Sequence, residues 1–255
     1  MKNAPPVIPL DRNCQVISYE AYGLWAFDKA SGVLSHPNLK RGKQEKRKAR
    51  TLLNAPYLHE EEAYSWKDAQ GEENRIYLVH RIDSPTSGVI LGSSSRKLAE
   101  TIKESFANRK VAKTYHAIVI PSRNRFKNEQ WKDGLVEKRD QGKIRVRKGK
   151  GPLALTKAYL EKERTGLYGL SLLRLEPQTG RTHQLRVQCA LRNLPIVGDR
   201  NYGNFSMNRK FARASKIDRL CLHASKVELE IPIDGKVIRF SAESSLPRSF
   251  GKLLY

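Results

Sequence analysis

The 255 residues carry 48 lysines and arginines against 26 aspartates and glutamates, a formal charge of +22, in a length that buries a core without disulfides or metals. So large an excess of one sign draws in polyanions and makes nucleic acid the expected partner. No apolar run approaches the ~20 residues of a spanning helix, the start "MKNAPPVIPL" lacks a secretory apolar core, and Cys14, Cys189 and Cys221 are too scattered for a disulfide framework or zinc knuckle. The expectation is a cytoplasmic protein with reduced thiols and no membrane partner.

In chain order, "CQVISYEAYGLWAFDK" from Cys14 to Lys29 reads as two short strands about a Tyr-Gly turn, and "ASGVLSHP" punctuates it. The segment from Lys40 to Arg50 has seven basic residues among eleven, so it repels itself and reads as a loop, either a phosphate-gripping arm or a solvated face. "IYLV" and "VILG" are strands on either side of "HRIDSPTSG". Leu98, Ile102 and Phe106 then fall at i, i+4 and i+8, the buried stripe of a helix.

"VAKTYHAIVI" reads as a strand, and the charged, glycine-containing stretch from Arg123 to Gly151 as hairpins or loops with a second basic patch in "GKIRVRKGKG". The turn "QTGRTHQ" leads into a helix with Thr182 as the expected N-cap and Val187, Ala190, Leu191 and Leu194 as the buried stripe. Two more strands, "LCLHASKVELEIP" and "VIRFSA", precede the tail. Strands outnumber helices, and the helices fall singly between them. The fold class is therefore α+β, with a mixed, mainly antiparallel sheet flanked by helices and loops. No repeat or long linker divides it, so one domain is expected over 1–255, with a core at 14–245 and a basic insertion loop at 40–50.

For chemistry, no pair among the six histidines has a ligand spacing with an acid nearby, and no P-loop or GxGxxG follows a strand. Neither a metal nor a nucleotide cofactor is expected. What remains is Asp83, at the lip of a strand beside Arg81 and His80. A nearby cation keeps such a carboxylate ionised, as a nucleophile or base; Asp followed by Ser-Pro-Thr-Ser is equally good turn chemistry. In "LEPQTGRTHQLR", Arg186 borders a buried stripe where an unpaired guanidinium is costly, so it needs a carboxylate, and Asp83 is an attractive partner.

These residues resemble a known family. "HRIDSPTSG" is similar to the HRLDxxTSG signature of the RluA-type family of RNA pseudouridine synthases, and "LEPQTGRTHQLRVQCALRNLPIVGDRNYG" to its LxxxTGRxHQIRxHLAxxGHPIxGDxxYG. "FANRKVAKTYHAIV", "RLCLHA" and the opening strand pair match further family segments in the same order, from about Val16 to Phe240. The departures are Ala30 for Pro, Pro121 for Gly, Gln188 for His and Asn193 for Gly.

The resemblance implies a pseudouridine synthase catalytic domain that breaks the N-glycosidic bond of a uridine in RNA and rejoins the base through carbon 5, without cofactor. It implies that Asp83 is the essential aspartate, acting as a covalent nucleophile or by elimination across the sugar. Tyr115 would stack on the target base and move a proton, and Arg186 would pair with the aspartate. Leu185 would lie against the uracil and Arg81 would fill the gap left by the everted nucleotide; His80, Arg181 and His183 complete the substrate-binding set, the imidazoles in supporting roles. The stretch from Asn201 to Ser225 is similar to the tRNA-modifying branch that lacks an amino-terminal RNA-binding domain. The expected partner is therefore RNA, tRNA ahead of rRNA, acted on by a monomer. The alternatives are a non-catalytic RNA-binding protein of the same fold and a metal-free ribonuclease using His80 and His183.

Overall fold

The computed structural model of the chain describes residues 7–37, 49–121, 126–140, 143–164 and 169–254. Residues 40–48 of the basic insertion lie outside them. The fold comprises two compact units, residues 1–111 with 226–244 and residues 112–225 with 245–255.

In the first unit, β1 (Gln15–Glu20) and β2 (Leu24–Lys29) form the expected antiparallel hairpin. β2 continues antiparallel onto β6 (Ser87–Ser93), with Lys29 opposite Gly88 and Leu24 opposite Ser93. All seven residues of β6 are buried, which is why "SGVILGS" is continuously small or apolar rather than alternating. β3 (Tyr57–Leu58), β4 (Ala63–Lys67) and β5 (Glu73–Leu78) form a meander that joins the end of β6 through Tyr77 and Leu78.

Helix α1 (Arg96–Ala107) starts at Ser95, whose hydroxyl accepts from the Leu98 N–H. It buries Leu98 and Ile102 fully and Phe106 in part, as the spacing predicts. β11 (Leu222–Ile233) contributes Lys226 onward to this unit and pairs antiparallel with β12 (Lys236–Glu243). Val227, Leu229 and Ile231 face the core while Glu228 and Glu230 face water, the period of two that a one-sided strand requires.

The second unit is built on β7 (Ala112–Val119), β8 (Glu129–Asp140), β9 (Lys143–Arg164) and β10 (Leu170–Pro177), in the order β7-β10-β9-β8. The charged stretch expected as hairpins or loops is thus one long antiparallel ladder, β8 against β9. Its register shifts between Gly134 and Leu135, where a Cβ on Gly134 would lie 2.3 Å from the Gly149 carbonyl and one on Gly151 2.0 Å from that of Leu135. Only glycine admits that approach, which is why this basic segment is glycine-rich. Three helices complete the unit: α2 (Gln184–Leu191), α3 (Phe205–Ser215) and α4 (Arg248–Leu254). The last two were not expected from the sequence pattern.

The β1–β2, β7–β10, β10–β9 and β8–β9 ladders are antiparallel, and a parallel bridge joins Leu34 and Thr51, in agreement with the α+β class. No helix among the described residues is long and apolar enough to cross a membrane.

Candidate active site

The turn carrying Asp83 is clamped from behind by the loop after β2. Lys29 is fully buried, and its ammonium donates to the carbonyls of Val33 at 2.6 Å, Ala30 at 3.1 Å and Ser84 at 3.1 Å. The Gly32 N–H reaches the same Ser84 carbonyl at 2.8 Å, and the Ser31 hydroxyl donates to Pro85 at 2.7 Å. On the other side, the Ser35 hydroxyl donates to the Ile82 carbonyl and accepts from the Ile82 N–H. The turn closes through its own main chain, Thr86 N–H to Asp83 carbonyl at 3.0 Å. Asp83 itself is half-buried. Two segments read separately in the sequence, "KASGVLS" and "HRIDSPTSG", are one structural element.

Arg81 and His80, on either side of the chain before Asp83, are held differently. Arg81 is exposed, and its Nη1 donates to Nε2 of His36 at 3.0 Å. His36 places Nδ1 2.8 Å from the Pro37 carbonyl, so Nδ1 carries the proton and Nε2 is the acceptor. Burial, with the Arg81 charge adding to it, holds the His36 imidazole below the ordinary histidine range despite the bond to Pro37. The ring stacks on Tyr57, centroids 5.0 Å apart. His80 accepts the Leu91 N–H on Nε2 at 3.1 Å and stacks on Phe106 at 4.7 Å.

In the second unit, Tyr115 lies on β7 opposite Leu175 of β10, half-buried against the apolar cluster that contains Leu185. Two residues earlier, burial pushes the Lys113 ammonium below the usual lysine range, and its Nζ lies 3.5 Å from the Thr179 carbonyl.

The "TGRTHQ" turn is organised by Gln184, which is 4% exposed. Its Oε1 accepts from the Thr179 hydroxyl at 2.7 Å and the Arg181 N–H at 3.0 Å, while its Nε2 donates to Leu155 and Thr156 of β9. The expected N-cap at Thr182 is therefore corrected. α2 is preceded by His183 in the left-handed region at φ 52°, with no side-chain cap, because Gln184 already satisfies the turn. The expected stripe is corrected as well: Leu191 is 41% exposed and Leu194 lies beyond the helix, while α2 buries Gln184 to Cys189 almost continuously.

Arg186 is 4% exposed and pairs with Asp199: Nε to Oδ2 at 2.8 Å and Nη2 to Oδ1 at 2.9 Å. Burial alone would raise the Asp199 pKa, but the Arg186 bond and charge, together with the N–H groups of Asn201 and Tyr202, outweigh it and hold the carboxyl below the usual range. The Arg186 guanidinium also lies over the Tyr202 ring at 5.2 Å, and the Tyr202 hydroxyl is 2.8 Å from Nδ1 of His183. Arg181 is exposed. Gln188, which departs from the family pattern, is fully buried, its amide bridging Thr156, Asp133 and Ala154. Asn193, standing where glycine is common, sits at φ 55°, a conformation asparagine tolerates.

Among the described residues, no three His, Cys, Asp or Glu side chains gather as a metal site requires. A family model for RNA pseudouridylate synthase matches residues 23–191, which include the Asp83 turn, the Tyr115 strand and the start of α2. The chain belongs to the RNA pseudouridylate synthase family.

Within the family, the chain is 28% identical over 97% of its length to tRNA pseudouridine synthase C of Pectobacterium carotovorum subsp. carotovorum, and 34% identical over 84% of its length to ribosomal large subunit pseudouridine synthase D of Borreliella burgdorferi. It spans 64% and 61% of those relatives' lengths. A solved structure, Human RNA Pseudouridylate Synthase Domain Containing 4, superposes with a TM-score of 0.62 at 22% identity, covering 94% of this chain and 92% of that one, and shares the fold.

Three residues of this pseudouridylate synthase chain escaped the reading of the sequence: Lys29, Gln184 and Asp199. Asp199 stood in view inside "VGDRNYG", 13 residues after Arg186, as a second acid able to answer a buried arginine. The Lys29 bonds to Ala30, Val33 and Ser84, and half of those described for Gln184, go to main-chain atoms, which leave no mark in the sequence.

Proposed function

We propose that the chain converts specific uridines of structured RNA to pseudouridine, with tRNA favoured over rRNA, in the reducing cytoplasm where its free cysteines Cys14, Cys189 and Cys221 persist. The observation that carries this reading is the clamped turn. Five bonds from Lys29, Ser31, Gly32 and Ser35 fix the main chain on both sides of Asp83. A carboxylate on so rigid a support is pre-organised, which lowers the entropic part of the barrier for a reaction at a sugar carbon.

Asp83 is the proposed nucleophile or base, Tyr115 the stacking and proton-moving ring, and Arg186 the cation that the motif match assigns to the aspartate. The target base must leave its stack, at a few kcal/mol. Stacking on Tyr115, on the order of 1–3 kcal/mol, and phosphate contacts of a chain with charge +22 offset that. Leu185 would keep water from the opened glycosidic bond, where hydrolysis leaves an abasic site. The preference for tRNA is supported by relatives named tRNA pseudouridine synthase C from Salmonella typhimurium and Pectobacterium carotovorum; the relative from Borreliella burgdorferi keeps rRNA as the second substrate class.

The test is tritium release from RNA labelled at carbon 5 of uridine. Release with the chain intact supports the proposal. Binding without release would make this a non-catalytic RNA-binding protein, and shortened RNA a ribonuclease.

A further inference from the structure

Helix α3 is anchored from one side. Phe211 is 4% exposed in the core of the second unit, and Asn204 caps the first turn through the Met207 N–H at 3.0 Å. Asn208 ties the helix to the segment before it, donating to the Asp199 carbonyl and accepting from the Gly198 N–H, both at 2.9 Å. On the other side, Phe205, Arg209, Ala212 and Arg213 stand at i, i+4, i+7 and i+8, one stripe of the helix. With Arg200 and Asp218 they line a cavity of about 330 Å³.

This stripe works against folding. Phe205 is 53% exposed, so its ring adds little to the core. Arg209 and Arg213, four residues apart, repel along the helix. Arg200 and Asp218 pair at 2.8 Å, and no described carboxylate pairs with Arg209 or Arg213. A surface ring beside two such cations, in a concavity, is the combination that holds single-stranded nucleic acid: guanidinium groups on the backbone and an aromatic face under any base.

We propose that this cavity binds one unpaired nucleotide of the RNA substrate away from the reacting uridine, Arg209 and Arg213 on its phosphodiester and Phe205 under its base. The proposal rests on the reading of the chain as an RNA-acting enzyme, and these are positioning residues that add affinity rather than chemistry. An acidic peptide would satisfy the arginines but offers the Phe205 ring no base to stack. Through Asn208 the cavity is braced on the backbone of Asp199, the partner of Arg186.

The experiment measures binding of fluorescein-labelled decauridylate and tritium release from 5-tritiated RNA for the whole chain, for Arg209→Ala/Arg213→Ala, for Phe205→Ala and for Phe205→Trp. All the changed side chains are exposed, and thermal melting confirms that the variants fold. The arginine variant is expected to lower the slope of log affinity against log salt by about 1.4, two contacts at about 0.7 each. Phe205→Ala is expected to weaken binding about fivefold or more with the slope unchanged, and Phe205→Trp to restore it. In release assays KM should rise while kcat at saturating RNA stays within about twofold.

Unchanged affinity and slope in both variants would overturn the proposal, as would competition by polyglutamate or by uridine monophosphate as strong as that by unlabelled decauridylate. If the unaltered protein releases no tritium yet its RNA binding depends on Phe205, Arg209 and Arg213, the cavity stands and the synthase reading falls. If it releases tritium and the variants bind as it does, the reverse holds.

Discussion

Arg186 and Asp199 form a two-point ion pair, Nε to Oδ2 at 2.8 Å and Nη2 to Oδ1 at 2.9 Å, with both side chains at least 95% buried. Asp199 also accepts from the N–H groups of Asn201 and Tyr202, so the guanidinium is aimed by an acid that is itself aimed. Removing one partner of such a pair strands a buried charge. Asp199→Ala is expected to destabilise the fold by roughly 3–5 kcal/mol, read by urea denaturation, and Asp199→Asn by less because the amide keeps one acceptor.

The same pair sets an acid limb. The folded pKa of Asp199 lies below its unfolded value of 3.8, so its stabilisation is complete above that value and is lost as pH falls through the folded one. Stability of the protein as it stands should decline over that window more steeply than stability of Asp199→Asn. Parallel declines would show that Asp199 is not held low.

His36 provides a second pH dependence, nearer neutrality. Its folded pKa lies below the ordinary 6.5, so the stabilisation it contributes is complete above about 6.5 and fades as pH falls toward the folded value. Protonation there places a second cation 3.0 Å from Arg81 Nη1 and removes its acceptor. His36→Gln keeps an acceptor and cannot titrate. Its stability and its RNA affinity should be flatter between pH 5 and 7 than those of the parent.

Lys29 holds the Asp83 turn through Ser84 and its own loop through Val33 and Ala30. Lys29→Met fills the same space but removes the ammonium from the Val33 carbonyl, at about 1–3 kcal/mol, while the Ser84 and Ala30 carbonyls keep the Gly32 and Val33 N–H groups. Because it loosens the support of Asp83 rather than an RNA contact, kcat should fall on the order of 10–100-fold with little change in KM. A change confined to KM would mean that the clamp serves binding instead.

Gly198 is pinned by geometry: at φ 76°, a Cβ there would lie 1.8 Å from the Arg219 carbonyl. Gly198→Ala should cost about 1–3 kcal/mol in backbone strain alone, and more through the collision, with thermal melting as the measure.

Much of this was legible because burial imposes a period. Leu98 and Ile102 at helical spacing and Val227, Leu229 and Ile231 at a spacing of two announce their elements directly. Asp83 and Arg186 drew notice through type and neighbourhood, Tyr115 only through the family resemblance. α3 did not, because its inward face offers chiefly Phe211 while its outward stripe carries Phe205, reversing the usual pattern, and the helix is held by Asn204 and Asn208. The start of α2 was misplaced because the side chain of the helix's first residue, Gln184, organises the loop before it. Charge pairing is non-local, so an isolated Arg186 called for a carboxylate and pointed to Asp83, while Asp199, 13 residues on, went unremarked.

The central claim is that the carboxylate at position 83 performs the chemistry. The most direct measurement compares tritium release from 5-tritiated uridine RNA by the protein and by Asp83→Asn, with RNA affinity and thermal stability recorded for both. Release should be abolished in the variant while affinity stays within a few-fold and the fold is intact; release at the parent rate would place the chemistry on another residue.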